Sequence, residues 1–300
     1  MPVRKRGVRF SAKDLDQGRR YLFREEFVPI LRKYLGIEPG QTVVDVGCGT
    51  GFFTRLVAHG LRDKGRIVGI DRNKRLLNVA KKLARTEGLE DVITFRPGSA
   101  DSIPLDDGYA DRVVCQTLLW FLKEPRSALK EMIRVCKSGG MVGAVEGAFD
   151  YVMWYVPDDP RQTALFRKSV IARSVGHRRL YGGDRGIGYK LPSMFSELGL
   201  KRVRIDGFPH VWMESDDRVP RQFKLQEYRD YVHRFENPVK KEQEENRRIL
   251  KLGGMTDAEI EGARNLYYKR SKRILKNPSL LDRDFSVNGG LFLLTTGVKG

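Results

Sequence analysis

Three glycines at alternate positions, in Asp45-Val46-Gly47-Cys48-Gly49-Thr50-Gly51, form the clearest ligand-binding pattern in the chain. Glycines let backbone N–H groups approach a ligand where a Cβ would intervene, and a helix opening directly after them adds further N–H donors. The pattern excludes two phosphate sites. The dinucleotide spacing G-x-G-x-x-G/A requires Gly or Ala where Phe52 stands, and no G-K-[ST] follows as a P-loop needs. Asp71 ends the strand-like run that begins at Arg66; its carboxylate can accept two O–H bonds at once or merely cap the helix that follows. Gly98-Ser99-Ala100-Asp101 and Gln116 end two further strand-like runs. A base could come from His177 or His210, with Tyr181 a third candidate, and a purely structural role stands beside that reading for each. Cys48, Cys115 and Cys136 are too widely spaced for a zinc site or a disulfide framework, so no metal is expected.

Such residues need a scaffold that gathers strand ends. Strand-like runs at Thr42 to Val46, Arg66 to Asp71, Val92 to Arg96, Arg112 to Gln116 and Met141 to Glu146 alternate with helical stretches. Asn73 to Glu87 spaces Leu76, Leu77, Ala80, Leu83 and Ala84 at helical intervals, with Asn73 as N-cap. The alternation predicts βαβ crossovers and a parallel sheet covered on both faces, an α/β fold. Beyond Glu146, Arg161 to His177 reads as a basic helix, Leu191 to Leu198 as a short one, and Lys201 to Asp206 and Gly290 to Gly297 as strands six and seven. The roughly 70 residues between those strands read as mostly helical. Their best helix opens with the capping box Thr256-Asp257-Ala258-Glu259 and carries Ile260, Ala263, Leu266, Tyr267, Ile274 and Leu275 on one face. The expected division is a core of 1–214 and 286–300, with an N-terminal helix, and a helical insertion of 215–285 acting as a lid or in oligomerisation.

The block Val43 to Gly51 resembles the first motif of class I S-adenosylmethionine-dependent methyltransferases, and Asp71 after the second strand resembles their second. Gly98 to Leu105 is similar to the family stretch G-D-A-x-x-L-P-F, and Gln116 to Phe121 and Glu131 to Gly140 match in order and spacing. The resemblance covers Tyr21 to Glu146, thins through Gly182-Gly183-Asp184 to Asp206 and returns in the last strand. It is strongest to the small-molecule branch acting on quinone precursors and sterols. It implies a Rossmann-like seven-stranded sheet in the order 3-2-1-4-5-7-6, the last strand antiparallel. It also implies S-adenosyl-L-methionine as cofactor and S-adenosyl-L-homocysteine as product, held by Asp45, Gly47, Cys48, Gly49, Gly51, Asp71, Arg72, Ser99, Ala100, Asp101, Gln116 and Tyr21. Arg24 joins Tyr21 as a candidate for the cofactor carboxylate, and Asp71 would take both ribose hydroxyls. Where the family has an acid facing the adenine amino group this chain has Ser99, so either Ser99 or Asp101 takes that bond while Ala100 offers its backbone N–H.

An activated methyl asks the protein mainly to align the acceptor opposite the leaving sulfur and to exclude water. Direct in-line transfer to a small-molecule acceptor is therefore the expected reaction. The [N/D/S]-P-P-[Y/F/W] motif of amine-methylating DNA enzymes is missing after strand four, and Cys115 in a strand and Cys136 at a helix end are not placed as nucleophiles. Tyr151, Trp154, Tyr181 and Tyr189 flank the end of the sheet where substrates bind in such folds, which suits a flat or apolar acceptor. The 300 residues carry a net charge of +18. Half of it lies between Arg161 and Arg204, where eleven residues are basic and two acidic. That segment either binds an acidic metabolite or guides RNA to the cofactor, so RNA methylation is the alternative function and a non-catalytic cofactor-binding partner subunit a third. No run approaches the roughly 20 apolar residues of a membrane span, and the basic N-terminus leads into polar residues without the apolar stretch of a secretory signal. A cytoplasmic location is expected; the oligomeric state is left open.

Overall fold

A computed structural model describes residues 27–61, 65–148, 153–157 and 159–300; Tyr21, Arg24 and Tyr151 lie outside them. The strands β1 (Thr42–Val46), β2 (Arg66–Asp71), β3 (Ile93–Pro97), β4 (Ala110–Gln116) and β5 (Cys136–Gly147) pair in parallel in the order 3-2-1-4-5. A parallel sheet covered on both faces needs continuous apolar strands, and Val43, Val44 and Val46 of β1 are all fully buried. On one face lie α1 (Phe27–Leu35), α2 (Phe52–Leu61) and α3 (Lys74–Thr86), which contribute Leu35, Phe53, Leu61, Leu77 and Ala80 to a single core. Asn73 caps α3 as expected, its side chain accepting from the Arg75 and Leu76 N–H groups. On the other face α4 (Pro125–Val135) contributes Leu129 and Met132. Further along the chain, after the long α5 (Pro160–Tyr181), α6 (Leu191–Glu197) adds Leu191 and Phe195 to that layer.

The remaining strands meet at β8 (Val287–Val298), which runs antiparallel beside β5 and carries β7 (Lys201–Met213) along its other edge. This is the expected order, with the last strand between the fifth and the one before it. Two details differ from expectation. There are eight strands because β6 (Met153–Tyr155) pairs with Val287 to Gly289, where β5, whose pairing ends at Phe292, leaves the edge of β8 uncovered. And β7 runs to Met213 instead of stopping at Asp206; Pro209 sits within it because an edge strand tolerates a residue without N–H. A register shift opens β7 between Lys201 and Arg204, where Arg202 takes a left-handed conformation at φ 50°.

Between β7 and β8 the insertion forms α7 (Arg221–Glu236), α8 (Lys240–Leu252) and α9 (Asp257–Lys276). The Thr256 and Glu259 side chains form the reciprocal capping box at the start of α9. α5 crosses α8 at near-backbone contact: a Cβ on Gly176 would lie 1.8 Å from the Ile249 carbonyl oxygen, and one on Gly253 1.9 Å from that of Ala172. Among the described residues no helix is long and apolar enough to cross a membrane.

Candidate functional site

The carboxyl ends of β1 to β4 converge through backbone hydrogen bonds. After β1 the chain turns through Gly47, Gly49 and Gly51, all at positive φ of 57° to 75°, a region that side-chain-bearing residues rarely enter. The Gly47 and Cys48 N–H groups donate to the Ile70 carbonyl at 2.7 and 3.0 Å, tying the loop to β2. Gly49 N–H donates to Asp71 Oδ2 at 2.9 Å, and Asn73 N–H to Asp71 Oδ1 at 2.7 Å. Each oxygen of Asp71 keeps acceptor capacity, so helix capping and ligand binding are compatible at this residue. A Gly98 N–H bond of 3.1 Å to the Asp71 carbonyl brings in the loop after β3. There Ser99 donates its hydroxyl to Asp101, so the two alternatives for the adenine contact form one hydrogen-bonded pair, with Ala100 partly buried between them.

Two of the glycines have a second reason to be glycine. A Cβ on Gly47 would lie 2.7 Å from Leu118 Cδ1 and one on Gly51 2.8 Å from Phe95, so the turn is packed from behind by side chains. Asp45 is buried and accepts from the Thr54 hydroxyl at 2.6 Å, which fastens the start of α2 beneath the loop. Cys48 is buried, and Arg72 is exposed beside Asp71. At the end of β4, Gln116 is 3% exposed, and both polar atoms of its amide lack a hydrogen-bond partner. A buried amide left unpaired is costly. The residues that the resemblance assigns to S-adenosylmethionine thus fit such a ligand: a glycine cradle, a carboxylate with spare lone pairs, and an amide whose donor and acceptor are both unused.

Sequence reasoning missed the clamp on the next loop. Glu146 at the end of β5 is fully buried, and its Oε1 accepts the N–H groups of Leu118 and Leu119 at 2.9 and 2.6 Å, while Oε2 has no partner. Burial pushes its carboxyl up to about 8, against the pull of the backbone N–H bonds from Leu119, Leu118 and Trp120. Between Gln116 and Leu118, Thr117 takes a left-handed φ of 48°, its N–H bonded to the Val145 carbonyl at 2.8 Å. A β-branched residue there is strained. Glu146 therefore fixes Leu118, and Leu118 packs on Gly47. The available signal was a lone carboxylate ending an otherwise apolar strand.

The weak catalytic candidates separate. The His177 ring lies 5.5 Å from that of Trp120, in the short helix after Leu118, and 5.0 Å from Tyr181. Burial first, then the charges of Arg185 and Arg173, lowers the His177 pKa below its ordinary value, which keeps the ring neutral and able to accept a proton. His210 sits on β7 over Gly290, its ring 5.1 Å from Phe292, and does not join the others. Trp154 packs edge-on against Phe166 and Tyr267, toward the insertion, and Tyr189 is largely exposed. Burial raises the Cys115 thiol well above its usual range and pushes Cys136 up to about 11, so neither supplies a thiolate. In the basic segment Lys168 pairs with Glu259, Arg178 and Lys190 pair with Asp184, and Arg179 donates to the Leu252 carbonyl.

Residues 44–143 match the methyltransferase domain family. A demethylmenaquinone methyltransferase of Bacillus cereus is 28% identical over 189 residues, which span 59% of this chain and 76% of that one. Among solved structures, the YcgJ protein of Bacillus subtilis superposes over 92% of this chain and 99% of its own, with a TM-score of 0.54 at 17% identity. A phosphoethanolamine N-methyltransferase of Haemonchus contortus, in complex with phosphomonomethylethanolamine and S-adenosylhomocysteine, does so over 97% of this chain and 58% of its own, with a TM-score of 0.51 at 14% identity.

Proposed function

We propose that this chain, whose residues 44–143 match the methyltransferase domain family, methylates a flat small-molecule acceptor by direct in-line transfer from S-adenosylmethionine. The observation that carries the reading is the wall of Trp120, His177 and Tyr181 beside the loop after β4. It stands next to Leu118, which touches the glycine turn, so an acceptor lying on it would be adjacent to the cofactor. The Bacillus cereus relative, whose name has it methylating demethylmenaquinone, supports a flat acceptor.

When bound, the cofactor supplies a methyl already activated on sulfur. The protein's part is positional. The turn from Gly47 to Gly51, whose glycines put no Cβ in the way, would lie against the methionine portion, Asp71 would accept the ribose hydroxyls, and the Ser99 and Asp101 pair with Ala100 N–H would receive the adenine. Gln116 supplies its amide to the cofactor, and Asp45, Cys48 and Arg72 support the loop ends. Glu146 holds the floor of the site through Leu118 and Leu119. If the acceptor is a phenol or enol, neutral His177 takes its proton. The core of 1–214 and 286–300 binds the cofactor, and the insertion of 215–285 acts with α5 as a cover that excludes water from the acceptor side.

Labelled S-adenosylmethionine added to a cell extract with the enzyme, followed by separation into small-molecule, RNA and protein fractions, tests this. Label is expected in small molecules. Label in RNA, with transfer falling steeply as salt rises, would overturn the proposal.

A further inference from the structure

One partly buried cation of the basic segment has no carboxylate. Arg173 on α5 donates from Nη1 to the Asn246 side-chain oxygen of α8 at 2.5 Å, and no ion pair engages it among the described residues. Its neighbours differ: Lys168 and Arg178, five residues to either side, each have an acid. Burial lowers the Arg173 pKa, because removal from water disfavours the charged form. A buried guanidinium can be tolerated in this way when an anion completes its surroundings on binding.

The surroundings place that anion. Arg173 lies one helical turn before His177, near enough for its charge to act on the imidazole. The Arg185 guanidinium carbon lies 5.3 Å from the centroid of the Trp120 ring, on its face, and Arg185 acts on His177 as well. The position of Arg173 is fixed, because Gly176 lets α5 sit against the α8 backbone. A guanidinium held in this way offers a planar fork of donors that matches a carboxylate or a phosphate.

We propose that Arg173, with Arg185 stacked on Trp120, binds an anionic group, carboxylate or phosphate, carried by the methyl acceptor. This rests on the reading of the Trp120 and His177 wall as the acceptor site. It narrows the acceptor from any flat molecule to one with an acidic substituent at its edge, the anion reaching α5.

The test uses the full chain saturated with S-adenosylhomocysteine and three calorimetric probes: 2-naphthol, 2-naphthoate and 2-naphthyl phosphate. One or both anions should bind at least tenfold more tightly than the neutral naphthol, and which one does so separates carboxylate from phosphate recognition. Arg173→Gln should remove most of that preference while S-adenosylhomocysteine affinity stays within twofold, and Arg173→Lys should retain part of it. A measurement on the unaltered protein stands apart from any folding defect: the His177 C2–H resonance, assigned with His177→Asn, should titrate at higher pH when the preferred anion is bound. Equal binding of charged and neutral probes, no binding of any probe, a preference that survives Arg173→Gln, or an unmoved His177 titration would each overturn the proposal. Failure to bind S-adenosylhomocysteine would instead overturn the cofactor reading.

Discussion

The two halves of the sheet position their chemistry by different means. From β1 to β4 the site is built of backbone: glycines at positive φ, N–H groups on the Ile70 carbonyl, and Asp71 accepting from Gly49 and Asn73. On the other side of the site it is built of side chains on long elements, with Glu146 clamping the loop after β4, α5 wedged on α8, and Arg173 and His177 of α5 brought up to that loop and its Trp120. Backbone sites leave a compact sequence pattern and tolerate little variation. Side-chain sites leave almost no local pattern, and leave room for the acceptor to differ between relatives that share the cofactor.

If the halves are as separate as this contrast implies, damage to one should spare the other. Gly176→Val should have the largest effect, about 3 kcal/mol or more of lost stability because the Ile249 carbonyl cannot retreat. Urea unfolding would measure it. At temperatures where the variant is folded, calorimetry should find S-adenosylmethionine affinity near that of the parent; a parallel loss of affinity would break the comparison. Asp71→Ala should do the reverse, costing roughly 1 to 3 kcal/mol of cofactor binding while the urea midpoint moves far less than for Gly176→Val, since only the Gly49 and Asn73 N–H bonds are lost. Binding unaffected by this change would remove Asp71 from the site.

The third effect is graded with pH and falls on the boundary between the halves. Glu146 has its carboxyl raised to about 8 by burial, so between its ordinary value of 4.5 and about 8 the folded chain holds a proton that the unfolded chain has released. The Glu146 contribution to stability is therefore full below 4.5, falls as pH rises toward 8, and changes no further above it. The slope is at most about 1.4 kcal/mol per pH unit. Glu146→Gln keeps an oxygen for the Leu118 and Leu119 N–H groups and should flatten that slope in denaturation curves across the range. An unchanged slope would assign the pH dependence elsewhere.

Legibility followed the same division. The glycine turn, Asp71, the Asn73 cap and the Thr256 box were readable because each depends on residues within a few positions of one another, whereas the strand order came only through the family resemblance that the turn and Asp71 carry. The pairing of Ser99 with Asp101 was half readable: both residues were in view, but not the turn that joins them. β6 could not be read, since three residues become a strand only because β5 stops short of the start of β8. Nor could Glu146 or Arg173. An acid at the end of a strand and an arginine among many basic residues acquire meaning only from distant partners, Leu118 and Leu119 in one case and Asn246 in the other. The likeness of His177 and His210 in sequence concealed that only His177 faces the loop after β4.

The place of β8 in the sheet has a consequence for synthesis. β6 and β7 both take their pairing from β8, and β5 is completed on that side only by it. Yet β8 begins at Val287, long after β5 ends at Gly147. At about 5 to 20 residues per second on the ribosome, the growing chain exposes the open edge of β5 for roughly ten seconds or more before its partner is made. An unpaired apolar edge recruits other strands. The nascent half-sheet is thus the form of this protein with most need of a chaperone, and slowing translation across the insertion should raise aggregation of the chain without altering the stability of what folds.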